Sequence, residues 1–240
     1  MNQPESPISN RQSLTTAVII PALNEAGNIG ELVRQTLAQP VDWVIVVDNG
    51  STDDTAVLAQ AAGAKVVTES RRGYGYACAA GTAVALSLNA DILVYMDGDF
   101  SSLPEEMPRL LTPIQADEAD LVLGSRTLGE IAAGAMLPHQ KFGNWLSSRL
   151  MSWLYHIRVT DLGPYRAIRA AAMRQLDMQE MTFGWPTEMM VKTAKKQYRI
   201  REVPVSWHVR RSGQSKVSGT LRGSLLAGYY ILGVTLKYAI

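Results

Sequence analysis

The sharpest chemical feature of this chain is Asp97-Gly98-Asp99. Two carboxylates separated by one glycine can hold a hard divalent cation, leaving its other positions to water and substrate phosphate. Mg2+ and Mn2+ prefer such oxygen donors. Taken alone, Asp-Gly reads more readily as a plain turn. Its surroundings favour the metal, because Arg71, Arg72 and Arg126 also follow short apolar runs. Asp48, after Val44-Ile45-Val46-Val47, could accept from a nucleobase or ribose. It could equally close an Asx turn in the segment 48–54.

Other chemistries lack their motifs. The first apolar run leads into Pro21-Ala22-Leu23-Asn24-Glu25 rather than a glycine-rich dinucleotide turn. Walker, H-E-x-x-H and G-x-S-x-G patterns are absent. His139, His156 and His208 are scattered without metal-ligand spacing.

The elements that must position these groups follow from periodicity. Residues 17–20, 43–48, 65–68, 91–97 and 120–125 read as strands. Residues 25–38, 53–62, 76–89 and 104–115 read as helices, with Ser51 or Asp53 as a cap for the second. Apolar strands separated by helices predict an α/β fold, a mostly parallel sheet covered on both faces. Such sheets bind ligands outside the carboxyl ends of their strands. Asn24, Glu25, Asp48, Arg71, Arg72, Asp97, Asp99, Ser125 and Arg126 all fall at that edge.

Beyond Arg126 the rhythm changes. Residues 129–137 read as a loop and 142–156 as an amphipathic helix carrying Trp145 and Trp153. Residues 165–169 read as a strand, 185–196 as a helix, and 198–209 as one or two strands interrupted by Pro204. Residues 1–14 are polar, without an apolar core, and read as a loose tail rather than a secretory signal. Residues 223–240 hold one charge, Lys237. A helix so apolar is buried or meets lipid, and its length would just match a hydrocarbon core at about 1.5 Å per residue.

Composition sets the limits. The chain has 240 residues, a net charge of +1, 47% hydrophobic and 19% charged residues. This is globular composition, and it argues against a disordered chain or a nucleic-acid binder. Cys78 is the only cysteine, which excludes an intrachain disulfide and suits a reducing compartment. The net charge conceals a division. Residues 41–120 hold 13 Asp/Glu against 4 Lys/Arg, whereas residues 192–222 hold 9 Lys/Arg and one acid, Glu202. That asymmetry suits two surfaces with different tasks, or simply solvated helix faces.

The segments 18–25, 46–55, 71–81, 96–99, 123–126 and 202–216 together resemble the family 2 glycosyltransferases, most closely the dolichyl- or polyprenyl-phosphate sugar synthases. The resemblance runs in order over about 200 residues. It implies a GT-A fold, Rossmann-like, over residues 15–222. The nucleotide-sugar half would be 15–126 and the acceptor half 127–222, followed by the apolar helix 223–240. It implies donor binding by Pro21, Ala22, Asn24, Glu25, Asp48, Arg72, Gly73, Asp97 and Arg126. It also implies Mg2+ or Mn2+ on Asp97 and Asp99, with Asp99 central to catalysis, and phosphate or acceptor contacts from Arg210, Arg211 and Lys216. The chain departs from the family pattern at Phe100-Ser101 and over 161–169, while the segment 182–189 supplies Glu188 near the position of an acceptor-side acid.

The expected reaction is inverting transfer of a hexose from a UDP-glucose or GDP-mannose type donor. A lipid-phosphate or other small anionic acceptor needs little base catalysis. A hydroxyl acceptor needs a carboxylate, with Glu188 first and Asp161 second; a salt bridge from Glu188 to Lys192 is the structural alternative. A sugar-phosphate nucleotidyltransferase and a non-catalytic nucleotide-binding module are the rival classes. Residues 223–240 would make peripheral membrane contact or an interface in a homo-oligomer. The expected location is cytoplasmic, on the inner face of the cell membrane.

Overall fold

A computed structural model of the chain describes residues 14–213 and 221–239. Lys216 and nearly all of the expected tail lie outside the described residues.

The described strands are β1 (Thr16–Ala22), β2 (Trp43–Asp48), β3 (Lys65–Thr68), β4 (Ile92–Tyr95), β5 (Leu121–Ser125), β6 (Arg166–Arg169) and β7 (Ile200–Pro204). They form one sheet in the order β3-β2-β1-β4-β6-β5-β7. The helices are α1 (Ile29–Leu37), α2 (Thr55–Ala61), α3 (Tyr74–Ser87), α4 (Met107–Gln115), α5 (Pro138–Tyr155), α6 (Ala170–Gln175), α7 (Trp185–Lys195) and α8 (Leu221–Lys237).

The sheet is apolar on both faces because helices cover both. Alternate residues of β1 divide between two cores. Ala17 and Ile19 pack with Cys78 of α3 and with Trp185 and Met189 of α7. Val18 and Ile20 pack with Ile29 and Leu32 of α1 and with Leu110 and Ile114 of α4.

Register brings the polar groups to one edge. Ala22 pairs with Asp48 and Asp48 with Thr68, while Ile19 pairs with Tyr95. The chain therefore leaves β1, β2, β3 and β4 at a common rim. β6 runs antiparallel between β4 and β5, with Arg166 opposite both Tyr95 and Leu123. Periodicity located this strand but not its direction. Because β6 is reversed, its approach segment, with Asp161 and Gly163, lies at the same rim. β7 returns parallel to β5, pairing Pro204 with Ser125, and delivers residues 205–213 there too.

Three boundaries differ from expectation for local reasons. α1 starts only at Ile29, because Asn24 adopts φ 53° and the Glu25 carbonyl accepts from the N–H groups of Asn28 and Ile29, forming a turn. α3 starts earlier, at Tyr74, because the Gly73 N–H donates to Asn49 Oδ1 and fixes the entry. The N-cap of α2 is Asp54, although Asp53 Oδ1 still accepts from the Thr55 N–H at 3.1 Å.

Gly75 marks where residues 180–181 cross α3. A Cβ there would stand 2.4 Å from both Glu180 O and Met181 Cα, which are backbone atoms and cannot step aside cheaply. Gly75→Ala is expected to destabilise the fold by about 1–3 kcal/mol. A lower urea midpoint with an unchanged slope would show it; an unchanged midpoint would mean the close approach is not required.

Candidate active site

A cavity of about 520 Å³ opens at the rim. Its lining includes Pro21, Ala22, Glu25, Arg72, Gly73, Asp97, Asp99 and Arg210, eight of the expected site residues. They come from the ends of β1, β3, β4 and β7.

Arg210 ties the site together. Its Nη2 lies 2.6 Å from Glu25 Oε1 and 3.2 Å from Asp99 Oδ2, and its Nε is 3.3 Å from the same Asp99 oxygen. The loop carrying it is held by the backbone: His208 N–H donates to Ser101 O at 2.9 Å and Arg211 N–H to Asp99 O at 3.1 Å. Ser212 Oγ donates to Asn28 Oδ1 at 2.7 Å, and Asn28 Nδ2 donates to Glu25 Oε2 at 2.7 Å. Burial raises the Glu25 carboxyl pKa, while Asn28 and Arg210 oppose the rise.

The two aspartates are unequal. Asp99 Oδ1 accepts from the Ser101 N–H at 3.0 Å and the Ser101 hydroxyl at 2.5 Å. Asp97 accepts from the Tyr74 hydroxyl at 3.3 Å. Burial, with repulsion from Asp99, pushes Asp97 well above the usual carboxylate range. The Tyr74 hydrogen bond and the charges of Arg126 and Arg166 offset only part of that rise, and a divalent cation would relieve the repulsion. Among the described residues no three His, Cys, Asp or Glu are grouped so as to hold a metal by themselves, and the Asp97–Asp99 pair suits Mg2+ or Mn2+ completed by phosphate and water.

Arg126 stands beside the cavity. Its guanidinium lies 4.9 Å from the Trp207 ring centroid, and Trp207 lines the cavity. Asp161 holds Arg126 through Nε at 2.8 Å, Nη2 at 2.6 Å and the backbone N–H at 2.7 Å.

Both expected proton acceptors are engaged within the protein. Asp161 is fully buried and both of its oxygens are taken by Arg126. Glu188 is fully buried near the start of α7 and does not line the cavity. It accepts from the Gln179 and Glu180 N–H groups, from Tyr238 Oη at 2.6 Å and from Lys192 Nζ at 2.9 Å. The Lys192 pair is the helical salt bridge that was the structural alternative.

Four more residues are engaged within the protein. Asp48 Oδ1 accepts from the Ser51 N–H at 3.1 Å, the Asx turn. Asn24 Oδ1 accepts from the Thr52 N–H at 2.8 Å. Arg211 stacks its guanidinium 5.2 Å from the Phe100 ring centroid instead of entering the cavity. Arg71, expected to face the aspartates, forms a bidentate pair with Glu69.

Sequence reasoning missed Asn49, Tyr74 and Trp207. Asn49 Nδ2 donates to Glu69 O and Arg71 O at 2.9 and 2.8 Å while Oδ1 holds Gly73, so one amide sets the arginine turn. Its position next to Asp48 was the available signal. Tyr74 and Trp207 sit inside segments already singled out, but an aromatic ring there has no spacing that distinguishes lining from core.

A mostly parallel seven-stranded sheet covered by helices, with an aspartate pair and arginines from three chain segments gathered at one rim, has the architecture of the GT-A fold. The family model for glycosyl transferase family 2 matches residues 17–177. The chain belongs to this family and is a glycosyltransferase. It is 36% identical over 218 residues to an uncharacterized glycosyltransferase of Mycobacterium tuberculosis, covering 88% of this chain and 93% of that one. It is 33% identical to the undecaprenyl-phosphate mannosyltransferase of Micrococcus luteus, covering 92% and 94%. Among solved structures it resembles the glucosyl-3-phosphoglycerate synthase of M. tuberculosis in complex with Mn2+, UDP and phosphoglyceric acid. The TM-score is 0.75 at 22% identity, covering 95% of this chain and 79% of that one, and the likeness is one of fold.

Its hydrogen bonds to Tyr238, Lys192 and the backbone lower the Glu188 pKa despite burial. A depressed carboxyl stabilises the fold above its unfolded pKa and loses that contribution as pH falls through the folded value. Glu188→Gln is therefore expected to lower the urea midpoint at neutral pH, with the gap from the parent protein closing as the pH is taken through and below the ordinary carboxylate range. A gap independent of pH would contradict the structural role of the charge.

Proposed function

We propose that the protein transfers a hexose from a nucleotide sugar of UDP-glucose or GDP-mannose type to a polyprenyl-phosphate-like acceptor, with inversion. The observation that carries the acceptor class is the saturation of Asp161 and Glu188. A hydroxyl nucleophile needs a base within reach. A phosphate oxygen is already anionic; of the carboxylates lining the cavity, Glu25 and Asp99 are paired with Arg210, and the guanidiniums of Arg72 and Arg126 stand in or beside it.

In this reading the nucleoside diphosphate lies along the rim with Arg72 and Arg210 near its phosphates. Asp97 and Asp99 would hold a divalent cation, which would supply charge neutralisation at the leaving diphosphate. The bond from the anomeric carbon to the diphosphate oxygen breaks as a bond to the acceptor oxygen forms. Arg126, fixed by Asp161 and by its stacking on Trp207, orients the acceptor phosphate; preorganised charge of this kind needs no reorganisation during reaction. Asp48, Asn24 and Gly73 shape the donor-binding turns, and Arg211 and Lys216 extend the basic segment.

The names of relatives such as the undecaprenyl-phosphate mannosyltransferase support a lipid acceptor. Among the described residues no helix is long and apolar enough to cross a membrane. Peripheral contact involving residues 223–240 at the inner face of the cell membrane fits both points.

Incubating the protein with Mn2+, labelled UDP-glucose or GDP-mannose, and undecaprenyl phosphate should yield a labelled lipid. Asp99→Ala should lower the rate by on the order of 10²–10³-fold, the scale of losing one preorganised electrostatic contact. Arg126→Ala should impair use of the lipid phosphate more than hydrolysis of the donor. Full activity in Asp99→Ala, or transfer only to neutral hydroxyl acceptors, would refute the reading.

A further inference from the structure

α5 is built the wrong way round for a helix facing water. Its exposed stripe is Phe142, Trp145, Arg149 and Trp153, spaced by three or four residues. Phe142 is 62% exposed, Trp145 55% and Trp153 72%. The opposite side buries Ser147 and Ser148 along with Met151. An ordinary surface helix would place the aromatics inward and the serines outward. Single exposed apolar residues need no explanation, but an aligned row of three large aromatics marks an interaction surface.

Charge identifies the partner. Residues 131–160 contain no Asp or Glu, yet carry Lys141, Arg149 and Arg158. These three cations line the same broad cavity as Trp145 and Trp153. The neighbouring helix α8 continues the pattern, since residues 203–240 also contain no acid. Tyr155 Oη fastens the two helices by donating to Thr235 O at 2.5 Å. Tyr229 of α8 is 73% exposed. The one acid lining the broad cavity, Glu202, is occupied by the Thr160 and Asp161 N–H groups. Trp and Tyr with Lys and Arg in excess are the mixture that seats a helix in the headgroup layer of an anionic bilayer.

We propose that the outward face of α5 lies flat on an anionic lipid surface, with Phe142, Trp145 and Trp153 entering the headgroup layer and Lys141, Arg149 and Arg158 pairing with lipid phosphates. This assigns the principal membrane contact to α5 and not to the terminal helix alone. It does not depend on the acceptor assignment, because it can be read on vesicles that contain no acceptor.

The experiment is co-sedimentation of the full chain with phosphatidylcholine vesicles with or without phosphatidylglycerol, alongside sedimentation velocity without lipid. The parent protein should bind the anionic vesicles and be released by salt. Triple replacement Phe142→Ser, Trp145→Ser, Trp153→Ser should weaken binding by about tenfold or more, the scale of withdrawing one large apolar side chain from apolar surroundings. Lys141→Gln with Arg149→Gln should weaken binding by about fivefold per cation while sparing any residual binding to neutral vesicles. A circular-dichroism melt checks that each variant folds; if the triple variant does not, Trp153→Ser alone and the charge variant carry the test. Failure of the parent protein to bind anionic vesicles would overturn the proposal. So would binding unaffected by these substitutions, or a dimer that the triple variant dissolves with no change in vesicle binding, which would make the face a contact between copies.

Discussion

The bridge from Glu25 through Arg210 to Asp99 is the constraint on which the site depends. It joins the turn after β1, the aspartate pair after β4 and the loop after β7. All three groups are largely withdrawn from water. Such charges are tolerable only when paired, and removing one partner of a buried pair costs about 3–5 kcal/mol. The arginine thus lets two carboxylates stand near a third, Asp97, whose own ionisation is already opposed by burial and by Asp99. The charge that remains uncompensated is what a divalent cation would neutralise.

The second arginine works by the same logic with a different result. Asp161 spends both oxygens on Arg126, so the carboxylate is no longer available as a base but the guanidinium is fixed in place. Glu188 is spent on fastening residues 179–180 and Tyr238 to α7. In the proposed reading the oriented guanidinium of Arg126 favours an acceptor that brings its own negative charge. On that reading the two facts are linked: the acids that hold the structure together are the ones withdrawn from the acceptor.

Much of this was legible in the sequence, for physical reasons. A strand buried on both faces reads as a continuous apolar run, so β2 was located to the residue; the half-buried edge strand β3 was located by its two valines, and the carboxyl-edge rule brought Glu25, Arg72, Asp97 and Asp99 to one cavity. The reversal of β6 was hidden because strand periodicity carries no direction. The fate of Asp161 was hidden because a carboxylate looks the same in sequence whether its partners are substrate or protein, whereas the i,i+4 spacing of Glu188 and Lys192 already offered their salt bridge. The helix at α5 was expected to be amphipathic, and it is, but with its apolar stripe outward. Periodicity gives the stripe and not the side on which the core lies.

The central claim is that Asp97 and Asp99 bind a divalent cation together with a nucleoside diphosphate. Titration of Mn2+ followed by loss of the free-ion electron paramagnetic resonance signal tests it most directly, with UDP or GDP present or absent. The account predicts weak binding to the protein alone, where two carboxylates and a competing Arg210 offer little. It predicts much tighter binding with the matching diphosphate, abolished in Asp97→Asn. Tight Mn2+ binding indifferent to both nucleotides, or unchanged by Asp97→Asn, would contradict it.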